Sequence, residues 1–203
     1  MTNHQKISDA IVDIWALPPG GSYKKYSVNL QVRPSEVVES LRKQFSDSEI
    51  FDAVKGWIEY GARKEETASL TDDREFFLCG CAVLLAESGV PVPKATVQRA
   101  VRGLPMCIWY RHLLALVKQY LSETELLETL LEGMQNESKI RLVENCLEGV
   151  RAYMPFAAKD TGSSQVRERI AQKTESLLGH GNPIIADLAR TAARTLAKRA
   201  ESA

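Results

Sequence analysis

Net charge is the first thing this chain lacks: 26 Lys and Arg are matched by 26 Asp and Glu over 203 residues. A chain-wide nucleic-acid clamp normally carries a basic surplus, so neutrality argues against that class. Gly and Pro are sparse, 12 and 8 residues, while 44% of the chain is hydrophobic. That composition excludes a collagen-like repeat and a disordered chain. Four cysteines are too few for a disulfide-dense mini-domain. No apolar run reaches the ~18 residues of a membrane helix, the longest being Phe76 to Ala86. Asp9 and Asp13 interrupt the first hydrophobic stretch, so it does not read as a secretion leader.

Catalytic constellations are missing as well. His4, His112 and His180 are scattered, and there is no H-E-x-x-H, no G-x-S-x-G, no Walker loop and no G-x-G-x-x-G after a strand. Cys79 and Cys81 stand two apart in a helical pattern and point about 200° away from each other. With Cys107 and Cys146 also among apolar neighbours, they read as buried thiols rather than zinc ligands. Asp72, Asp73 and Glu75 form a carboxylate cluster, but acids in the first turn of a helix are what capping and the dipole favour. Gly179-His180-Gly181-Asn182-Pro183 precedes a helix and has no lysine of a phosphate loop. It reads as a turn with Gly179 as C-cap, Asn182 as N-cap and Pro183 at the first helical position. The expectation is a reduced, cytoplasmic protein with no cofactor, no metal and no enzymatic activity.

What is present is helical periodicity nearly everywhere. Ile7, Ile11 and Ile14 follow one face and stop before Pro18-Pro19-Gly20-Gly21. Capping boxes at Ser46-x-x-Glu49 and Asp72-x-x-Glu75 open two helices, and Ser35 is placed to cap another. Phe76 to Glu87, apolar almost all round, should be central. Further helices follow over 93–101, 105–120, 122–135, 136–154, 165–178 and 183–200, with 155–164 as a flexible linker. One segment departs from this. Tyr26, Val28, Leu30 and Val32 alternate with polar residues as a half-buried strand does, and no second strand is visible to pair with it.

The fold class is therefore all-α, an irregular helical bundle or a short helical-hairpin array, with at most one short strand near residues 26–32. Residues 1–34 form an N-terminal helix and extended segment packed on a helical domain of 35–203. The Asn182-Pro183 start and the run Leu188-Ala189-Arg190-Thr191-Ala192-Ala193-Arg194 resemble the second helix of a HEAT-type repeat, which implies a HEAT-like array.

Charge is segregated although it sums to zero. Residues 91–120 carry five basic groups and no acid, and 121–150 carry seven glutamates against Lys139 and Arg141. Hairpin neighbours touch, so the acidic helix after Ser122 is expected to neutralise the basic helix before it. Complementary patches also suit partner selection. The function expected is a non-enzymatic protein–protein interaction module: an adaptor, inhibitor, chaperone or immunity-type antagonist. The residues assigned to partner binding are Arg99, Arg102, Arg111, Lys118, Arg190, Arg194 and Lys198. The partner is another protein, or a second copy in a homodimer, with no membrane. The alternative is a nucleic-acid-binding helical protein, in which Trp109-Tyr110-Arg111-His112 stacks bases and Arg or Lys of 94–118 and the C-terminal helix hold phosphates.

Overall fold

Helix starts are set by side chains that accept the first orphan backbone N–H groups. The computed structural model describes residues 2–17, 26–66, 72–104, 110–156, 160 and 162–201. Thr2 accepts from the Gln5 N–H and opens α1 (Asn3–Trp15). Ser46 and Glu49 form a reciprocal capping box at α3 (Asp47–Glu65), and Ser122 and Glu125 do the same at α7 (Glu123–Met134). Asp72 accepts from the Glu75 N–H at α4 (Asp73–Glu87). At α2 (Pro34–Arg42) the expected cap, Ser35, lies inside the helix. Arg33 is the N-cap, Pro34 takes the first helical position, and the Glu36 carboxylate accepts the Arg33 N–H. Proline fits there because that N–H would be unpaired anyway.

The other helices are α5 (Lys94–Gly103), α6 (Tyr110–Tyr120), α8 (Ile140–Tyr153), α9 (Ser163–Ser176) and α10 (Pro183–Glu201). A 3-10 turn, Met154–Phe156, follows α8. Asn182 caps α10 as expected, accepting from the Ile184 N–H. The C-cap of α9 is Leu177, so Gly179 does not serve as one. The segment after the 3-10 turn is not wholly a free linker. Asp160 accepts from both the N–H and the hydroxyl of Thr124, and Ser163 is buried.

Consecutive helices pair as α1/α2, α3/α4, α5/α6, α7/α8 and α9/α10, and each helix from α1 to α8 also packs on the one two further along. Odd-numbered helices therefore form one layer and even-numbered helices the other. The chain is thus an all-α helical bundle whose contact order follows the pairing and stacking of helical hairpins. Phe77 to Ala86 of α4 are all buried between the layers, as the all-round apolar pattern predicts. So is most of α8, from Leu142 to Tyr153 apart from Glu144 and Arg151. Ile7, Ile11 and Trp15 fix α1 to the same core, continuous with the rest.

The strand expectation is partly corrected. Only Ser27–Val28 is a strand, and it pairs antiparallel with Ala16–Leu17 directly after α1, in register Ala16 to Val28. The Asn29 N–H donates to the Trp15 carbonyl and the Trp15 indole to the Val32 carbonyl. These bonds tether the segment by its backbone, so its side chains need not alternate inwards: Leu30 is 88% exposed. The breaker Pro18 to Gly21, along with Pro105, Cys107 and Trp109, lies outside the described residues. Cys79, Cys81 and Cys146 are buried and form no disulfide among the described residues, and burial pushes the Cys146 thiol up to about 12.

Three helices meet where α3 and α5 end against α8. Gly103 approaches so closely that a Cβ there would lie 2.5 Å from the Ala62 carbonyl oxygen. The buried Asn145 of α8 donates from Nδ2 to the Glu65 carbonyl at 3.2 Å and the Gly103 carbonyl at 3.3 Å. Replacing Asn145 with Leu should cost about 1–3 kcal/mol, because buried carbonyls lose their donor, read as a lower urea midpoint at unchanged slope. Leu30→Asp, at an exposed site, should change stability by less than about 0.5 kcal/mol. Failure of that variant to fold would instead make the segment part of the core.

Candidate interaction surface

The basic block of 91–120 divides between the two layers. In the odd layer, α5 is neutralised on both sides. Arg99 faces Glu59 of α3 at 3.6 Å, and Thr96 donates to the same carboxylate. Lys94 and Arg102 reach across to Glu125 and Glu132 of α7 at 2.6 and 2.7 Å. On its far side α7 meets α9, through Glu123 with Arg167, and the α7–α8 turn follows suit through Glu137 with Lys173. The acidic helix after Ser122 is thus engaged by α5 and α9, its stack neighbours, and not by α6, the helix before it in sequence, as expected. Along α3, α5, α7 and α9 these charges meet the next helix of the layer.

The even layer is different. On α6, Arg111, Ala115 and Lys118 make the outward stripe, because Leu113, Leu116 and Val117 turn inwards. Among the described residues Arg111 has no ion pair, and Lys118 lies 5.5 Å from the ring centroid of Phe156, itself 51% exposed. On α10 the outward stripe holds Asp187, Arg190, Arg194 and Lys198. Arg190 pairs with Asp187 one turn away, while Arg194 is exposed and has no ion pair among the described residues. Between these ridges α8 shows Arg141 with Glu144 and Arg151 with Glu148, each an i,i+3 pair on one helix. Two basic ridges therefore flank α8, whose Arg141 also pairs with Glu65 of α3.

Of the seven residues assigned from sequence, Arg111, Lys118, Arg190, Arg194 and Lys198 stand on the outer face of the even layer. Arg99 and Arg102 stand in the odd layer, engaged between helices. Lys118 and Lys198 converge on one edge, the first over Phe156 and the second beside Pro155, Thr195 and Arg199 in a depression of about 350 Å³. Phe156 was not anticipated, because a Pro-Phe pair in a presumed linker carries no helical periodicity.

Nor was the ionic centre beneath that edge. Glu123, fully buried in the first turn of α7, accepts from Arg167, from Arg199 at 3.4 Å and from the Ser163 hydroxyl at 3.1 Å. Arg199 also donates to the Pro155 carbonyl, tying α10 to the 3-10 turn that presents Phe156. Burial by itself would push the Glu123 carboxyl up, but the hydrogen bonds from Arg167, Ser163 and Arg199 hold it below the usual range. The carboxylates weighed as an acid–base cluster are otherwise employed. Asp72 caps α4, and Glu75 accepts from Tyr60 and Lys64. His180 accepts the Asn182 N–H within its turn. Among the described residues no three His, Cys, Asp or Glu side chains are grouped to hold a metal ion, and no helix is long and apolar enough to cross a membrane.

Comparison with protein-family models, with curated proteins and with solved structures finds no match to this chain.

Because the Glu123 carboxyl is held low in the fold, its contribution is complete above the unfolded value near pH 4.3 and is lost as pH falls through the folded value. Glu123→Gln leaves two guanidinium groups around one amide and should cost about 3–5 kcal/mol at pH 7. Its stability should also fall less steeply than wild type below about pH 4.3, as measured by urea unfolding across pH. Parallel acid limbs in the two proteins would contradict this assignment.

Proposed function

We propose that this protein is a non-enzymatic protein–protein interaction module that docks an acidic protein surface on the outer face of its even-numbered helices. One observation carries the reading. The cations of α5 are engaged by acids of α3 and α7, whereas α6 and α10 keep Arg111, Lys118 and Arg194 exposed, with Phe156 beside Lys118. An exposed aromatic ring under a basic side chain combines apolar anchoring with electrostatic selection of the partner. Stacked hairpins support the same reading, since such arrays present extended rigid faces built from successive helices. An adaptor, an inhibitor and an immunity-type antagonist would all use that face in one way: by stoichiometric coverage of a partner.

Nucleic-acid binding is the second reading, and the engagement of Arg99 and Arg102 between helices weakens it. The five remaining basic residues sit on two ridges separated by the paired side chains of α8, which makes a poor continuous track for a phosphate backbone.

The test is capture of partners from native lysate by tagged protein, with and without nuclease. Wild type is compared with Arg111→Glu/Lys118→Glu. The protein-binding reading expects a stoichiometric partner that survives nuclease and is lost, about tenfold or more, in the double reversal, with an unchanged melting temperature. Loss of all partners on nuclease digestion, or tight binding of an oligonucleotide with steep salt dependence, would transfer the assignment to nucleic acid.

A further inference from the structure

A single exposed phenylalanine is ordinary on a protein surface. Phe156 differs in being held. Lys118 of α6 lies 5.5 Å from its ring centroid, within cation–π range. Arg199 of α10 donates to the carbonyl of the preceding residue, Pro155, at 3.4 Å. The ring and its turn are thus fixed from the two helices that flank α8, while 51% of the residue stays in solvent. Beside it lies a depression of about 350 Å³ lined by Pro155, Thr195, Lys198 and Arg199. The Thr195 hydroxyl donates back to the Thr191 carbonyl, and the Arg199 head is committed to Glu123 and Pro155. The surfaces left to the depression are a proline ring, a methyl group and the methylene stems of Lys198 and Arg199.

The rim is cationic. Lys118, Arg194 and Lys198 are exposed, the last two one turn apart on α10. Beneath them two guanidinium groups, of Arg167 and Arg199, share the one carboxylate of Glu123. The acids nearby are Asp160, engaged by Thr124, and the exposed Glu201, one turn beyond Lys198. Helix dipoles largely cancel here, because the first turns of α7 and α9 meet the last turn of α10 around Glu123. The edge is left positive.

We propose that this edge is the anchor point of the acidic partner inferred above, and that the partner presents a short segment with one large apolar side chain between carboxylates. The apolar group enters the depression against Pro155 and Thr195, with Phe156 at its border, and the carboxylates lie on Lys118 and Lys198. This contact presupposes the protein-binding reading and narrows it. Charge alone would accept any acidic surface, whereas a fixed ring beside a carbon-lined depression selects for an apolar group among the acids.

The probe is a fluorescein-labelled peptide, Gly-Glu-Asp-Phe-Asp-Glu-Gly, titrated with the purified full chain and followed by fluorescence anisotropy. Control peptides carry Ala for Phe, or Gln and Asn for the acids. Wild type is compared with Phe156→Ala, Thr195→Tyr, Lys198→Gln and, far away on α2, Lys43→Gln. Circular dichroism confirms that each variant is folded, and Phe156→Ala with the control peptides decides the matter if Thr195→Tyr is not. The expected result is saturable binding that weakens with salt. Loss of the peptide's Phe, Phe156→Ala and Thr195→Tyr should each raise the dissociation constant about tenfold or more, and neutralising the acids should do the same. Lys198→Gln should raise it about threefold, and Lys43→Gln should leave it unchanged. Absence of binding at millimolar concentration overturns the proposal. So does equal binding of the Ala peptide, or a loss in Lys43→Gln as large as in Lys198→Gln, because either result reduces the contact to unspecific charge. A lysate partner lost from Arg111→Glu/Lys118→Glu but kept by Phe156→Ala also overturns it, and leaves the protein-binding reading intact. Peptide binding as expected, with only nucleic acid recovered from lysate, would overturn that reading instead.

Discussion

The structure turns on how three helix ends are brought together without leaving their carbonyls unpaired. A helix C-terminus has four carbonyl groups with no partner in the helix, and burying such groups unpaired is costly. Here α3 and α5 both end against α8, and Asn145 supplies the missing donors from one side-chain amide. Arg141 adds a second donor to the Glu65 carbonyl and to its carboxylate. Gly103 allows the contact, because at this position any side chain would meet the α3 backbone. With those ends locked, α5 lies in contact with α3, α6, α7 and α8 at once, and the hairpins before and after it are held in one stack.

That position of α5 explains the charge pattern. A basic helix set between α3 and α7 needs acids on both, and it finds Glu59 on one side and Glu125 and Glu132 on the other. Alternating charge blocks along the chain are therefore the trace of stacking in a single layer. Most of these pairs are half-exposed and individually worth little, so they contribute register and choice of neighbour more than stability. Glu123 is the exception, buried outright. Its removal would leave Arg167 and Arg199 without their shared carboxylate.

Much of this was legible in the residues, and the failures have physical reasons. The 3.6-residue periods located the helices, and the caps at Ser46, Asp72 and Asn182 stand where the side-chain chemistry put them. Periodicity reports which side of a helix is buried but not which helix covers it. For that reason the acidic block was matched to α6, its neighbour in sequence, instead of to α5 and α9. The alternation of Tyr26 to Val32 misled for a related reason. A two-residue ribbon held by the Trp15 carbonyl and indole needs no buried face, so Leu30 is free to point outwards. Of the candidate site, the outward stripe of α6 was legible because Leu113 and Leu116 define its opposite side. Phe156 and Glu123 were not. One sits in a turn without period, and the other reads as an ordinary first-turn acid until Arg167 and Arg199 arrive from forty-four and seventy-six residues away.

The two layers end up with different surfaces for one reason. In the odd layer, long side chains of α5 reach Glu59 of α3 and Glu125 and Glu132 of α7, and Arg167 of α9 reaches Glu123, so these charges are consumed in pairs between helices. In the even layer α8 is sunk, with Glu148 almost wholly buried beneath Arg151, and with Arg141 shared between Glu144 and Glu65 of α3. Arg111 and Lys118 of α6 and Arg190, Arg194 and Lys198 of α10 stand exposed on either side of it. A neutral chain thus acquires a charged face by geometry alone. Acids of α3 and α7 are engaged by cations of α5 and α9, while among the described residues Arg111 and Arg194 of the even layer have no ion pair.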